Sequence, residues 1–314
     1  MRTTRPSRAA FVGTLIALAG VIGLASAPHA YAADTATSNA STIAQTRYPI
    51  VLVHGFMGFD SLLGTDYWYQ IPSALRKAGA TVYVAEVSQL NSNTVRGEQL
   101  LQQIKQWAAK DGFTKVNLIG HSQGGPTARY VSGMAPELVA SVTTMASPHT
   151  INAADASDNV VGKLISEHPD FTVALAKTVA FLSGHPKLPQ DVSAFSGNFA
   201  EELAAFNVKF PDGLPTTPCG EGPEVVKGIH YYSASGAQGK TNAWDISDQL
   251  MQDKPDNDGI VPRCSTHLGK VLRDDYPWNH LDEINQLWGL IGKGAPDPVA
   301  FYVQQANRLK LKGL

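Results

Sequence analysis

The ten residues Val116-Asn117-Leu118-Ile119-Gly120-His121-Ser122-Gln123-Gly124-Gly125 run an apolar strand signal straight into the pattern G-x-S-x-G, and a helical pattern follows. A serine so placed must stand on a sharp strand-to-helix turn, with glycines two residues to either side so that neighbouring backbone can pass without a Cβ clash. Alone the pentapeptide is a weak signal; strand, turn and helix in that order make it strong. Outward from it, short β-branched runs at Ile50–Val53, Thr81–Val87, Val116–Ile119 and Val139–Met145 read as buried strands. Between them Arg96 to Lys110 has helical spacing, with Leu100, Leu101, Ile104 and Trp107 on one face. Strands alternating with helices predict an α/β fold, a mostly parallel central sheet covered by helices on both faces, with its chemistry at the carboxyl ends of the strands.

From about Ile151 to Ala205 the rhythm breaks, and it resumes near Gly228 to Ser235. The interruption is read as a helical cap inserted in the domain. Val160, Val161, Leu164 and Ile165, then Phe171 to Leu182, are amphipathic to strongly apolar, which suits either a core helix or a lid that meets lipid when open.

The chain has 314 residues, 43% of them hydrophobic, enough for one large domain with an insertion. Its net charge is −2 and no Lys/Arg block stands beyond the first ten residues, so neither a nucleic-acid surface nor a polybasic membrane patch is expected. Arg2, Arg5 and Arg8 precede an apolar run from Ala9 to Ala25 and the small-residue site Ala30-Tyr31-Ala32, the order of a secretory signal peptide cleaved after Ala32. Residues 33–314 would then be the exported domain, without a later span of bilayer length. Cys219 and Cys264 are the two cysteines, and in an exported chain an even count implies one disulfide, two buried thiols being the alternative. Closing such a loop stabilises by roughly 4 kcal/mol and would tie Cys219 to the segment after Asp258.

A serine hydroxyl is a poor nucleophile at neutral pH, so a histidine must accept its proton and a carboxylate must hold that histidine in one tautomer. On a strand-turn-helix serine the order is Ser, then Asp or Glu, then His. Downstream of Ser122 lie His149, His168, His185, His230, His267 and His280. His280, in a turn-like segment near the C-terminus, is the best placed, with His267 its rival. For the acid, Asp256-Asn257-Asp258-Gly259 offers two carboxylates in one turn, and the glycine after Asp258 suits a fixed loop. Two backbone N–H donors are needed for a tetrahedral oxyanion: Gln123 after the nucleophile, and Phe56 in the loop Val53-His54-Gly55-Phe56-Met57-Gly58.

Further stretches give the chain a resemblance over essentially all of its exported part: Tyr48 to Gly55, Asp66-Tyr67-Trp68, Val87-Ser88-Gln89-Leu90, Arg96-Gly97-Glu98-Gln99-Leu100, Val116 to Pro126 and Asn279-His280-Leu281-Asp282-Glu283. With these it resembles the bacterial secreted true lipases, calcium-dependent and foldase-assisted members of the α/β-hydrolase superfamily. The resemblance implies hydrolysis of long-chain triacylglycerol with Ser122, Asp258 and His280 as the triad, and a Cys219–Cys264 disulfide. It also implies a structural Ca2+ held by the carboxylates of Asp245 and Asp282 and the carbonyls of Gln286 and Leu290, an all-oxygen shell of the kind calcium favours. A membrane-tethered foldase acting before export is implied as well. The chain departs from the family's small-Pro-His-basic-Gly segment at Ser147-Pro148-His149-Thr150-Ile151, and its lid stretch matches loosely. The rivals are a carboxylesterase or polyester depolymerase on the same scaffold and a secreted binding protein that has kept the fold without the chemistry.

Overall fold

The computed structural model describes residues 41–151, 155, 160–193 and 199–314. The predicted signal peptide lies outside these residues, and so do parts of the predicted cap. Four-residue β1 (Ile50–Val53) is buried along its whole length, as are β5 (Val116–His121) and β6 (Val139–Met145). Burial of every position, with mostly apolar and β-branched residues and a few buried polar ones such as Asn117 and Ser141, is what a sheet covered on both faces produces. With β4 (Val82–Ala85), β8 (Ile229–Gly236) and the short β7 (Val225–Val226) they form one sheet in the order β4-β1-β5-β6-β8-β7, and β9 (Lys270–Tyr276) pairs with β8. All neighbours are parallel except β7 against β8. A separate hairpin joins β2 (Ser61–Leu62) to β3 (Thr65–Asp66).

The alternation of side chains along β1 divides the core in two. Val51 and Val53 point to the face packed by α2 (Asn93–Asp111) and α3 (Gly124–Met134), with Leu100, Ile104 and Val131 in that layer. Ile50 and Leu52 point to the opposite face, covered by α1 (Ile71–Lys77) and the C-terminal helix (Pro298–Leu311), with Leu75, Tyr302 and Ala306. Helix α2 begins on a Ser92 hydroxyl that accepts the Val95 N–H at 3.2 Å and ends on Gly112 in the left-handed conformation, the usual pairing of polar start and glycine stop.

Between β6 and β8 in the chain come the helices Val160–Glu167 and Pro169–Leu182, within the region predicted as a cap, and Phe199–Lys209, which runs past its predicted end at Ala205. Leu164, Ile165, Ala176 and Ala180 are buried, whereas Phe181 is 69% exposed. No helix among the described residues is long and apolar enough to cross a membrane.

Strand order reverses at β1: the chain passes from β1 out to β4 and returns to β5 on the other side. Sheets of this type open a crevice at such a switch point, at the strands' carboxyl ends. The segments that leave β1 and β5 there begin with His54-Gly55 and with Ser122.

Candidate active site

Ser122 follows β5 directly, with φ of 54°, in the left-handed region that costs a side-chain-bearing residue energy. Its N–H donates to the Met145 carbonyl at 2.9 Å, and its carbonyl accepts the Gly125 N–H at 3.0 Å, so the turn is fastened on both sides. A Cβ on Gly124 would stand 2.1 Å from the Val53 carbonyl oxygen, which is why the start of α3 can lie against β1 only with glycine there.

His280 and Asp258 are brought together although 21 residues separate them. His280 Nδ1 lies 2.7 Å from Asp258 Oδ2, and the His280 N–H donates to the Asp258 carbonyl at 2.9 Å. The other oxygen, Oδ1, accepts the N–H groups of Ile260 and Val261 at 2.8 and 2.7 Å. Asp258 is fully buried; Asp256 is largely exposed and faces Arg263 instead. His267, the rival histidine, is occupied by Asp274 at 2.9 Å and by the Gly220 carbonyl at 3.0 Å. The His280 ring lies 4.6 Å, centroid to centroid, from that of His121, the residue preceding the serine. Among the described residues no hydrogen bond joins Ser122 Oγ to His280, a looseness common in such pairs until substrate loads.

Glu283 is a further carboxylate in this pocket, which the sequence reading quoted in a motif without giving it a role. It is fully buried, with Oε2 3.4 Å from His121 Nε2 and 3.9 Å from His280 Nδ1. Burial, and then the Asp258 charge, hold its carboxyl well above the usual range. Burial and the neighbouring His280 hold His121 well below the usual imidazole range, so it is neutral. Nothing local marks Glu283 in the sequence, since its partners are distant in the chain.

Gly55 packs against the serine: a Cβ added there would meet Ser122 Cβ at 2.7 Å. Its N–H donates to the Tyr67 hydroxyl at 3.1 Å, and that hydroxyl is 2.7 Å from His121 Nδ1. The predicted donor residues Phe56 and Gln123 therefore stand next to Gly55 and Ser122 respectively, on the two segments that meet here.

The four predicted calcium-binding residues lie on the loops beside the histidine. Asp282 Oδ2 accepts from Thr241 Oγ1 at 2.7 Å and from the Asn279 N–H at 3.2 Å, while its buried Oδ1 has no hydrogen-bond partner. Asp245 Oδ1 accepts from the N–H and hydroxyl of Ser247. Burial, and then the charges of Asp245 and Asp248, push Asp282 up to about 7 against the bonds from Thr241 and Asn279. A buried carboxylate oxygen without a partner, among other acids, is a donor set short of a positive charge. Asp248, which accepts the Thr241 and Asn242 N–H groups and the Asn279 amide, went unnoticed in the sequence. Gln286 is tied through its side-chain amide to the Asp66 carbonyl at 2.7 Å, and Leu290 closes the same loop. Among the described residues, the His, Asp and Glu ligand atoms that converge in threes are those of His121/His280/Glu283 within the pocket and Asp60/Glu86/His185 near the cap; the Asp245 and Asp282 carboxylates are not in such a group.

Cys219 and Cys264 form a disulfide. Cys264 follows Arg263, whose N–H donates to the Asp256 carbonyl at 2.8 Å, so the bridge fastens the far end of the acid loop.

The family description alpha/beta hydrolase fold matches residues 48–172. A triacylglycerol lipase of Vibrio cholerae is 50% identical over 86% of this chain and 90% of its own length. One from Pseudomonas fragi is 41% identical over 86% of this chain and 98% of its own, and one from Burkholderia plantarii 39% over 100% and 99%. Among solved structures, the Staphylococcus hyicus lipase superposes with a TM-score of 0.55 at 19% identity, covering 89% of this chain and 99% of that one, a likeness of fold.

Proposed function

The chain belongs to the bacterial triacylglycerol lipase family of the α/β-hydrolase fold, and from that premise we propose that it is an exported lipase cleaving long-chain acylglycerol esters with a Ser122–His280–Asp258 triad. The observation that carries the reading is the buried Asp258–His280 pair, joined at 2.7 Å, in the pocket where Ser122 stands on its strained turn.

In this mechanism Ser122 Oγ attacks the ester carbonyl while His280 Nε2 takes its proton, and the bond from Nδ1 to Asp258 fixes the tautomer and stabilises the imidazolium that forms. The Phe56 and Gln123 N–H groups hold the oxyanion. Collapse expels the alcohol, which His280 protonates, and leaves an acyl-enzyme. Water activated by the same histidine then releases the fatty acid.

The Asp245 and Asp282 carboxylates with the Gln286 and Leu290 carbonyls would hold one Ca2+, and the partnerless Asp282 Oδ1 supports that assignment. The ion supplies charge that pins the loop carrying His280, two residues before Asp282. Residues 1–32 serve as the export signal, 33–314 form one catalytic domain, and the cap over about 151–205 acts as a lid whose exposed Phe181 meets lipid. Folding before release uses a lipase-specific foldase, as in the family.

The test is turnover of emulsified long-chain triacylglycerol beside a soluble short-chain ester, with Ser122→Ala as control. Long-chain turnover lost in the variant is the expected result. Turnover of the short ester alone makes the chain an esterase, and turnover that survives in Ser122→Ala overturns the triad.

A further inference from the structure

Arg96 is a fully buried guanidinium on α2, and every hydrogen bond it makes among the described residues goes to an uncharged oxygen. Nη1 donates to the Ser88 carbonyl; Nη2 donates to the His54 carbonyl at 2.6 Å and, at 3.4 Å, to that of Gly55. Nε donates to the Thr127 hydroxyl at 3.2 Å, which itself donates to the Gln123 carbonyl at 2.9 Å. Burial lowers its pKa to about 10, so it keeps its charge at neutral pH. Burying such a charge without a carboxylate is costly, and a helix facing this core would be served as well by leucine or methionine.

His54 works on the same carbonyl. Its ring is buried, and burial, followed by the Arg96 charge, lowers its pKa to about 3, so it is neutral. Nε2 accepts the Val87 N–H at 3.3 Å, which leaves the proton on Nδ1, and Nδ1 donates to the Gly55 carbonyl at 2.9 Å. The Gly55 oxygen thus accepts from three donors, His54 Nδ1, Arg96 Nη2 and the Gly58 N–H at 3.2 Å, so the two side chains reinforce a main-chain turn.

We propose that Arg96 and His54 are positioning residues for the oxyanion hole: by holding the Gly55 carbonyl they aim the Phe56 N–H of the same peptide unit at the reacting oxygen. The proposal rests on the reading of Phe56 and Gln123 as oxyanion donors. In a trans peptide the C=O and N–H point in opposite directions, and the chain has no cis bond among its described residues. Fixing the carbonyl therefore fixes the donor. Hydrogen bonds to a carbonyl also polarise its own N–H, making it a stronger donor, and the guanidinium charge adds to this in a site shielded from water. Through Thr127 the same guanidinium reaches the residue that carries the second donor, so one side chain sets the spacing of both. Preorganised donors of this kind cost no rearrangement when charge develops.

The experiment compares the full-length enzyme with Arg96→Lys and Thr127→Val on a soluble short-chain ester, with concentrations set by active-site titration. It also records the infrared carbonyl band of the acyl-enzyme formed from a carbonyl-13C activated ester, and the melting temperature. Arg96→Lys keeps the charge but loses the fork. The expected result is a kcat lower by about tenfold, a KM within about twofold and a carbonyl band at higher wavenumber, because weaker donors polarise the acyl carbonyl less. Thr127→Val should move kcat and the band in the same direction by less, and it carries the test if Arg96→Lys does not fold. A lowered melting temperature with kcat and band unchanged makes Arg96 purely structural and overturns the proposal. A wild-type enzyme that forms no acyl-enzyme sinks the hydrolase reading itself, whereas normal acylation with unshifted variants sinks the clamp alone.

Discussion

Asp258 grips His280 at two points, Oδ2 against Nδ1 at 2.7 Å and the main-chain carbonyl against the His280 N–H at 2.9 Å. The second bond survives any change of the Asp258 side chain, so substitutions there test chemistry with little loss of structure. Asp258→Asn is expected to lower kcat by about a hundredfold or more with KM and melting little changed, through the wrong imidazole tautomer. Because Glu283 Oε2 stands 3.9 Å from the same nitrogen, Asp258→Asn/Glu283→Gln should fall further still. Steady-state kinetics on a soluble ester decides it, and equal activity of the single variant and wild type would remove Asp258 from the mechanism.

Metal removal should act through stability. A cation present at about a hundred times its Kd stabilises by roughly 2.7 kcal/mol, which in a domain of this size is about 5–10 °C of melting temperature. Chelation is expected to lower the wild-type melting temperature by that much, and Asp245→Ala or Asp282→Asn should melt low with or without chelator. Identical wild-type curves in calcium and in chelator would argue against the ion.

Glu86 gives a signed pH dependence. Burial, and then the Asp60 charge, raise its carboxyl from 4.5 to about 8, and the groups facing it are Asp60, His54, His185 and the more distant Arg96. Between those values the folded protein holds a proton that the unfolded chain has released, so stability falls as pH rises from about 4.5 to about 8 and levels off above. Glu86→Gln should lose this slope and melt higher than wild type near pH 9, as a melting series across pH would reveal.

Gly124→Ala has no room. Its Cβ would lie 2.1 Å from the Val53 carbonyl, backbone against backbone, and the turn and β1 must separate to admit it. A loss of several kcal/mol, on the order of the larger single-site effects, is expected in denaturant titrations.

Removing the disulfide by Cys219→Ala/Cys264→Ala frees a 45-residue separation. The denatured chain gains roughly 4 kcal/mol of loop entropy, so melting should fall by about 10 °C while kcat at low temperature is retained.

The interior strands β1, β5 and β6 were legible in the sequence because burial on both faces fills them mostly with β-branched and apolar residues, and the serine turn was legible because its glycines answer to local contacts. Strand β9, which reads Lys-Val-Leu-Arg-Asp-Asp-Tyr, and the C-terminal helix gave no comparable signal, β9 being only half buried, with Arg273 and Asp275 exposed. The choice of Asp258 over Asp256 rests in the sequence on a glycine and a resemblance; in space Asp258 is the carboxylate that reaches His280, whereas Asp256 faces Arg263. Asp245 and Asp282 could be paired only through the resemblance, because their loops meet across 37 positions of chain. Arg96 reads as one more basic residue on an amphipathic helix; only the carbonyls converging on it reveal its surroundings.

Strands β4, β1, β5 and β6, and with them the serine turn, are all encoded before residue 146, whereas Asp258 and His280 arrive on either side of β9. A chain emerging from its N-terminus can build the nucleophile's turn long before the residues that would activate it exist. Any fragment ending short of residue 280 can hold the serine turn but lacks the histidine proposed to take its proton, so on that reading the catalytic pair assembles only once the chain has passed β9.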